Sequence, residues 1–278
     1  MIKLLITGDF CPNARVVDLI DEENYKMVFN DVTPLFERSD YSIVNLECPV
    51  LAQDAKGIDK GGPSLKAKPI VIKALKEVGV EMVTLANNHF YDFGNQGVVD
   101  TINICNEYDV DFVGGGTNIK DAQKTLYKDI KGKIFAFVNF CESEFSIATD
   151  TNGGSSPLDP IQNYHQIVEA KSKADFVIVI THGGHEYYQL PSPRMKKTFR
   201  FFVDAGADAV INHHTHCFSG DEVYKGAPIF YSLGNFCFDW RNKRNSVWNE
   251  GYLVSLMFNE DKLSFKKHPI VQGNDKPG

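Results

Sequence analysis

The chain has 278 residues, of which 43% are hydrophobic and 23% charged, a composition typical of a globular protein with a full core. Its net charge of −7 argues against a broad nucleic-acid surface, and no apolar run is long enough to span a membrane. The 6 cysteines form no CxxC pair, so reduced thiols in or near the core are expected rather than disulfides.

The N-terminus is predicted to be a strand over 3–7 that ends at Gly8 and Asp9. It does not resemble a signal peptide, because its apolar stretch is short and soon reaches an acidic residue. This start predicts a cytoplasmic protein. Association with the cell surface is the alternative if a leader has been removed.

The first half of the chain alternates strands and helices. Helices are predicted at 16–36 (interrupted near Pro34), 69–78 (capped by Gly79) and 96–106, and strands at 41–47, 80–85 and 111–113. A polar, Gly-rich loop is predicted over 52–63, and long loops of this kind often carry function. The triple glycine at 114–116 matches no phosphate-binding pattern and is predicted to form a tight turn.

The second half begins with a hairpin and ends in strands. The predicted elements are the hairpin 124–130 and 134–140, a loop at 149–160, helices at 163–172 and 192–205, and strands at 175–182, 207–211, 229–233, 252–258 and 263–267. Alternating strands and helices followed by a strand-rich end predict two packed sheets flanked by helices. Without a linker or repeat, the chain is interpreted as one domain over 1–278.

A histidine cluster, INHHTHCFSG at 211–220, follows the apolar strand at 207–211. His214 and His216 are two residues apart, so in extended backbone both rings project from one face of the strand. Imidazole is the commonest metal ligand at neutral pH, which indicates a metal site, with surface histidines as the alternative.

Other residues able to bind metals also follow predicted strands. They are Asp9, Glu47, Asn88 with His89, and His182 with His185 and Glu186. Functional residues of α/β sheets cluster at the carboxyl ends of strands, so these positions are expected to share one pocket. Each also has an ordinary alternative: a turn residue, a solvated strand end, or, for Glu186, a surface ion pair with Arg194.

Together, the oxygen and nitrogen ligands suit two divalent ions, Zn, Mn or Fe, if one carboxylate bridges them. The predicted ligands are Asp9, Glu47, Asn88, His182, His214 and His216. Two ions bring about four positive charges against two carboxylates, so the surplus would attract phosphate or another anion. His89 follows a ligand without being one, which suits a general acid for the leaving group.

With these residues at these positions, the chain resembles the poly-γ-glutamate capsule biosynthesis (CapA-like) family, which is related to calcineurin-like metallophosphoesterases. The similarity covers almost the whole chain. The motifs that carry it are Gly8-Asp9, Asn45-Leu46-Glu47-Cys48-Pro49, Leu85-Ala86-Asn87-Asn88-His89 with Asp92 and Gly94, His182-Gly183-Gly184-His185-Glu186-Tyr187, His213-His214-Thr215-His216 and Tyr231-Ser232-Leu233-Gly234-Asn235-Phe236.

The resemblance implies an α/β fold, a four-layer α/β/β/α sandwich of two mixed sheets, with a two-metal site. It makes Glu47 the bridging carboxylate. The other implied roles are first-metal ligands Asp9 and His216, second-metal ligands Asn88, His182 and His214, and the acid His89. Asn235 and Phe236 are expected near the rim of the site, and a strand followed by a turn is the alternative interpretation of that stretch.

The sequence departs from this pattern at Cys11, where the related enzymes carry a metal-binding histidine two residues after Asp9. Either the first ion has one ligand fewer, or the Cys11 thiolate supplies it; a thiol in the core is the ordinary alternative. Gly183 stands where members often carry Trp. Many members also carry an N-terminal anchor, which this chain does not show.

Three functions are compatible with these residues. The first is a metal-dependent, phosphoesterase-like hydrolase of an anionic small molecule or polymer, linked to capsule or poly-γ-glutamate synthesis and to other proteins of that pathway. The second is an accessory protein that binds the polymer with little or no turnover. The third is a hydrolase of γ-glutamyl amides, since paired ions can also polarise a carbonyl. The fold alone cannot decide the substrate.

Overall fold

The computed structural model describes residues 1–260 and 262–273. The strands within this part of the chain are β1 (Ile2–Phe10), β2 (Tyr41–Leu46), β3 (Met82–Thr84), β4 (Asp111–Val113), β5 (Gly115–Gly116), β6 (Leu126–Ile130), β7 (Lys133–Cys141), β8 (Gly154–Ser155), β9 (Phe176–His182), β10 (Ala209–His213), β11 (Asp221–Tyr224), β12 (Ala227–Phe230), β13 (Asn235–Cys237), β14 (Glu250–Asn259) and β15 (Lys262–Val271). The helices are α1 (Arg15–Asp21), α2 (Tyr25–Phe29), α3 (Thr33–Glu37), α4 (Ile70–Val78), α5 (Gly94–Glu107), α6 (Ile119–Ala122), α7 (Pro160–Lys173) and α8 (Pro193–Ala205).

The strands form two large mixed sheets. The first has the order β15-β14-β1-β2-β3-β4, with β13 pairing alongside β1, and its strands β1 to β4 are parallel. The second has the order β11-β12-β10-β9-β7-β6, and its strands β7, β9, β10 and β12 are parallel. Both sheets are mixed, because antiparallel strands flank the parallel ones. These are β14 and β15 in the first sheet, and β11 and β6 in the second.

Three apolar cores join four layers. Between the two sheets, buried side chains such as Ile6, Ile43, Phe137 and Ile180 pack together. A second core lies between the first sheet and helices α1 to α5, and a third between the second sheet and helices α7 and α8. The expected α/β/β/α sandwich is therefore confirmed.

Local sequence signals explain several boundaries. Gly79 ends α4 in the left-handed region, with φ of 99°, as its capping position predicts. The hairpin β6–β7 turns at Lys131 and Gly132, whose φ values of 53° and 80° are those of a type I′ turn. Ser192 caps α8 by accepting a hydrogen bond from the N–H of Met195.

Two predictions, one about Pro34 and one about the triple glycine at 114–116, were wrong. The 16–36 stretch is three short helices and a 3-10 turn, and Pro34 lies in the first turn of α3, so it begins a helix instead of interrupting one. Proline is tolerated there because the first N–H groups of a helix have no partner within the helix. The triple glycine is not a tight turn alone. Gly114 bends the chain with a φ of 86°, but the next two glycines form β5, which pairs with β8. Strand β8 lies inside the stretch 149–160 that was predicted to be a loop.

Among the described residues, no helix is both long and apolar enough to cross a membrane. The domain predicted over 1–278 includes Asp261 and residues 274–278, which lie outside the described residues.

Candidate metal centre

The candidate site lies where strands of both sheets end. Glu47 follows β2 directly, and His182 is the last residue of β9. The neighbouring parallel strand β10 ends at His213, which pairs with His182, so the next residues of that strand emerge beside it. Parallel strands bring their carboxyl ends to the same edge of a sheet, and this brings together residues that are far apart in sequence.

Asp9 lies within β1, two residues beyond the predicted strand end. The pairing of β1 with β2 shifts register between Ile6 and Asp9, an irregularity that changes the direction of a side chain. Gly8 permits it, because a Cβ atom there would lie 2.0 Å from the carbonyl oxygen of Gly234. The Asp9 N–H donates to that same oxygen at 3.1 Å, which fixes the strand beside the 234–235 segment.

His214 and His216 do not lie in extended backbone, so that part of the prediction was wrong. Their φ values are 91° and 51°, in the left-handed region that non-glycine residues seldom adopt. The His214 N–H donates to Oδ2 of Asp9 at 3.2 Å, which helps to hold this conformation. Unfavourable backbone of this kind concentrates at functional sites, where surrounding contacts maintain it.

Two sets of side chains, sharing Glu47, could each hold a metal ion. In each set, one ligand atom per residue lies within 4.8 Å of the others; the sets are Glu47, His182 and His214, and Asp9, Glu47 and His216. Asn88 belongs with Glu47, His182 and His214, because its Oδ1 lies 3.0 Å from Nε2 of His182. The structure therefore brings all six predicted ligands together.

The environment of Glu47 fits a cation. The residue is fully buried, and within the described part of the chain neither carboxylate oxygen accepts a hydrogen bond. The basic groups beside it are Nε2 of His182 at 3.5 Å and Nε2 of His216 at 3.6 Å. Burial, with the adjacent Asp9 charge, raises the pKa of Glu47 well above its usual value. A buried carboxylate without donors is costly, and a bound metal ion would remove that cost.

Burial also changes the pKa values of the other ionisable groups in the site. Burial raises the pKa of Asp9 to about 7, although hydrogen bonds from the His214 backbone and Asn45 oppose the change. Burial and the neighbouring His214 lower the pKa of His216 to about 3, and burial lowers the pKa of His182 and His214 as well. The imidazoles are therefore neutral at pH 7, the form that binds metals.

His89 lies at the edge of this cluster and is held by a buried pair of charges. Its Nδ1 lies 2.7 Å from Oδ2 of Asp92, and the other oxygen of Asp92 lies 2.6 Å from Nζ of Lys60. The Lys60 side chain is only 3% exposed and comes from the long loop predicted over 52–63. With Nδ1 engaged by Asp92, Nε2 is the ring nitrogen that remains for contact with a substrate.

The residues named as rim or additional ligands have different surroundings. Cys11 is buried in the apolar core, with its N–H donating to the carbonyl of Cys237, and it belongs to neither ligand set among the described residues. His185 and Glu186 are exposed and also lie outside both sets. Asn235 contacts the site directly, since its Oδ1 lies 3.0 Å from Nδ1 of His216.

The predicted alternative for Glu186, an ion pair with Arg194, was wrong. Arg194 instead forms its ion pair with Glu142, whose other oxygen accepts the N–H of Gly184 at 2.9 Å. This arrangement anchors the start of the 183–188 segment next to the site. Glu142 follows β7, a strand to which the sequence assigned no functional group.

Three residues of the site were missed by sequence reasoning. Asn45 donates to Oδ1 of Asp9 at 2.7 Å; its position two residues before Glu47 on one strand was a usable signal. Trp248 packs its indole ring on His216, with ring centroids 4.4 Å apart. Glu144 lies beside Asn88 and His214. Glu144 comes from an irregular segment and Trp248 from a single 3-10 turn over 247–249, both too short for a pattern in the sequence to identify.

Comparison of the sequence with known families gives a match over residues 3–240 to the profile of the family described as bacterial capsule synthesis protein PGA_cap. The chain is 38% identical over 256 residues to the capsule biosynthesis protein CapA of Bacillus anthracis, covering 88% of this chain and 62% of the relative. It is 36% identical over 246 residues to the PGA biosynthesis protein CapA of Bacillus subtilis (strain 168), covering 86% and 64%. The chain thus spans less than two thirds of the length of these relatives.

Comparison of the structure with solved structures supports the fold. A hypothetical protein from Thermus thermophilus is similar with a TM-score of 0.61 and 15% identity, covering 100% of both chains. A 5′-nucleotidase from Candida albicans SC5314 is similar with a TM-score of 0.52 and 10% identity, covering 96% of this chain and 50% of that one. The fold is metallophosphoesterase-like, and at these identities the similarity concerns the fold alone.

Proposed function

The chain belongs to the bacterial capsule synthesis protein PGA_cap family, and on that basis we propose that it is a metal-dependent hydrolase of an anionic substrate in capsule or poly-γ-glutamate synthesis. The observation that carries this proposal is the pair of ligand sets sharing Glu47. A carboxylate common to two sets suits a bridged pair of ions, and paired ions suit hydrolysis of phosphoesters.

In this proposal each ion has its own ligands besides Glu47. Asp9 and His216 would hold the first ion, and Asn88, His182 and His214 the second. This mixture of oxygen and nitrogen donors suits Mn, Zn or Fe. When bound, the ions would supply Lewis acidity, which polarises the scissile group and makes water acidic enough to attack near neutral pH.

The chain's own residues would then orient groups and transfer protons. Asn45 donates to one oxygen of Asp9 and the His214 N–H donates to the other, so the carboxylate is held in a fixed orientation within the ligand cluster. His89 would give a proton to the leaving group through Nε2, while Asp92 fixes its ring through Nδ1. Because the two predicted carboxylate ligands do not neutralise two divalent ions, the pocket would favour a phosphate or another anion.

The proposal is tested by metal analysis followed by assays. The purified protein should contain close to two equivalents of transition metal per chain. A panel of phosphomonoesters, phosphodiesters and γ-glutamyl amides should then identify a substrate whose hydrolysis stops with chelator and resumes when metal is returned. A protein with both ions bound that hydrolyses none of these would contradict the hydrolase assignment.

One observation favours a second candidate, an accessory protein that binds the polymer without turnover. The ligand set of the first ion has three side chains, Asp9, Glu47 and His216. Cys11, at the position of a metal-binding histidine in the related enzymes, lies in the core. A less complete first site would bind its ion weakly and slow the chemistry. Tight binding of poly-γ-glutamate without cleavage, in the metal-loaded protein, would support this candidate.

We also propose that the chain forms one domain and works with other proteins of capsule synthesis. Cell fractionation with detection of the protein tests the predicted cytoplasmic location against association with the cell surface.

A further inference from the structure

Glu144 lies in the irregular segment between β7 and β8, at the mouth of the candidate metal centre. Its carboxylate reaches two members of one ligand set. Oε2 accepts from the side-chain Nδ2 of Asn88 at 3.4 Å, and Oε1 lies 3.8 Å from Nε2 of His214. The side chain is 38% exposed, so it forms part of the rim and not of the core.

The orientation of the His214 ring gives the first argument. Nδ1 lies 3.2 Å from Nε2 of His182, which places Nδ1 on the side where the ligand atoms converge. Nε2 therefore points away from the convergence and toward Glu144. A histidine that binds a metal through one nitrogen commonly donates its other N–H to a carboxylate, which fixes both the tautomer and the ring orientation.

The Asn88 amide gives a second, separate argument. Only the amide oxygen can bind a cation, because the NH2 group is a donor without a free acceptor site. The oxygen of Asn88 lies 3.0 Å from Nε2 of His182, inside the cluster, while the NH2 group donates to Glu144. A 180° rotation of the amide would turn the NH2 group inward, and the contact with Glu144 opposes that rotation.

We propose that Glu144 is a positioning residue for the second metal ion, with one carboxylate oxygen orienting Asn88 and the other orienting His214. Among the described residues, its contacts with predicted ligands are those to Asn88 and His214, so its effect should be greatest on the second ion. The inference rests on the proposed metal centre, but it does not depend on hydrolysis.

The test compares Glu144→Gln and Glu144→Ala with Glu186→Gln. Glu186 is a matched control, because it is an exposed carboxylate whose negative charge, like that of Glu144, raises the pKa of Glu47. Titration of metal-free protein with Mn²⁺ by calorimetry, with metal content measured in parallel, gives the affinity of each ion. Loss of a carboxylate that orients a metal ligand typically weakens binding by about 10- to 100-fold.

For Glu144→Ala, we expect the second ion to bind about 10- to 100-fold more weakly, while the first ion is weakened no more than in Glu186→Gln and the melting temperature of the metal-free protein is unchanged. Glu144→Gln keeps one acceptor oxygen, so its affinity for the second ion should fall less than that of Glu144→Ala. Glu186→Gln should weaken both ions slightly and alike. If Glu144→Gln and Glu186→Gln weaken the second ion equally, the loss of negative charge explains the result and the proposal is overturned. A lower melting temperature together with weaker binding of both ions would overturn it in favour of a structural role.

The result is separable from the proposed function. If the wild-type protein binds two ions and hydrolyses no substrate, the hydrolase proposal fails while the selective loss of the second ion still supports the role of Glu144. If the wild-type protein binds fewer than two ions, the role of Glu144 is overturned together with the two-ion site.

Discussion

The Asp92 carboxylate contacts the His89 ring at Nδ1, with 2.7 Å between Oδ2 of Asp92 and Nδ1 of His89. The carboxylate is itself held, because its Oδ2 accepts the N–H of Leu65 at 2.7 Å and its Oδ1 contacts the ammonium of Lys60. Asp92 and Lys60 are almost completely buried, so the ring of His89 has a defined orientation at the edge of the ligand cluster.

His89→Ala should therefore slow hydrolysis without removing metal. General acid catalysis contributes roughly 10²- to 10⁴-fold, and the deficit should shrink for nitrophenyl esters, whose leaving groups need little protonation. The measurement is the rate of wild type and variant on a good and a poor leaving group, with metal content determined in parallel. Equal losses on both esters, or loss of metal, would remove His89 from the acid role.

Glu47→Gln should remove both ions, because Glu47 is the member common to the two ligand sets. His216→Ala should remove only the first ion, and it serves as the comparison. Without metal, Glu47→Gln should be more stable than wild type, since it eliminates a buried carboxylate that has no donor among the described residues. Metal analysis and denaturant unfolding of the metal-free proteins check both statements. Retention of one full equivalent by Glu47→Gln would refute the bridge.

Cys11→Ser should keep the full metal content of the wild-type protein. The Cys11 thiol is buried, and burial together with the nearby Cys48 raises its pKa, which disfavours the thiolate form that binds metals. The serine variant should instead be less stable, because a hydroxyl replaces a thiol in an apolar core. Metal content and urea unfolding are the measurements. A loss of one equivalent of metal would assign Cys11 to the first ion.

Asp239→Asn should destabilise the protein in a pH-dependent way. Burial alone would raise the pKa of Asp239, but hydrogen bonds from Arg244 and Arg15 outweigh it and hold the pKa at about 2, below the usual 3.8. Because the two arginines are partly exposed, solvent screens the pairs, and the ionised carboxylate contributes about 1 kcal/mol of stability above pH 4, which is lost as the pH falls through 2.

Urea unfolding of wild type and Asp239→Asn between pH 7 and pH 2 measures this contribution. The difference in unfolding free energy should be largest near neutral pH and should shrink below pH 4. Asp150→Asn, at an exposed position, is the control and should change stability little at any pH. A difference that stays constant down to pH 2 would show that the ion pairs with Arg15 and Arg244 do not stabilise the fold.

The sequence by itself determined the order and type of most elements and the positions of the six predicted ligands. These follow from local chemistry. The apolar run of β9 has to be buried on both faces, Gly79 ends α4 because glycine tolerates positive φ, and Lys131-Gly132 suits a type I′ turn. Glu47 directly follows β2 and His182 ends β9, so both side chains lie at the edge of their sheets.

The tertiary structure alone decided how those residues meet. The register shift that turns Asp9 depends on Gly234, more than two hundred residues away, and the backbone of His214 is held in part by its contact with Asp9. Glu144 reaches the site from an irregular segment and Trp248 from a single 3-10 turn. Such contacts form only when distant parts of the chain pack together, so no pattern of neighbouring residues encodes them.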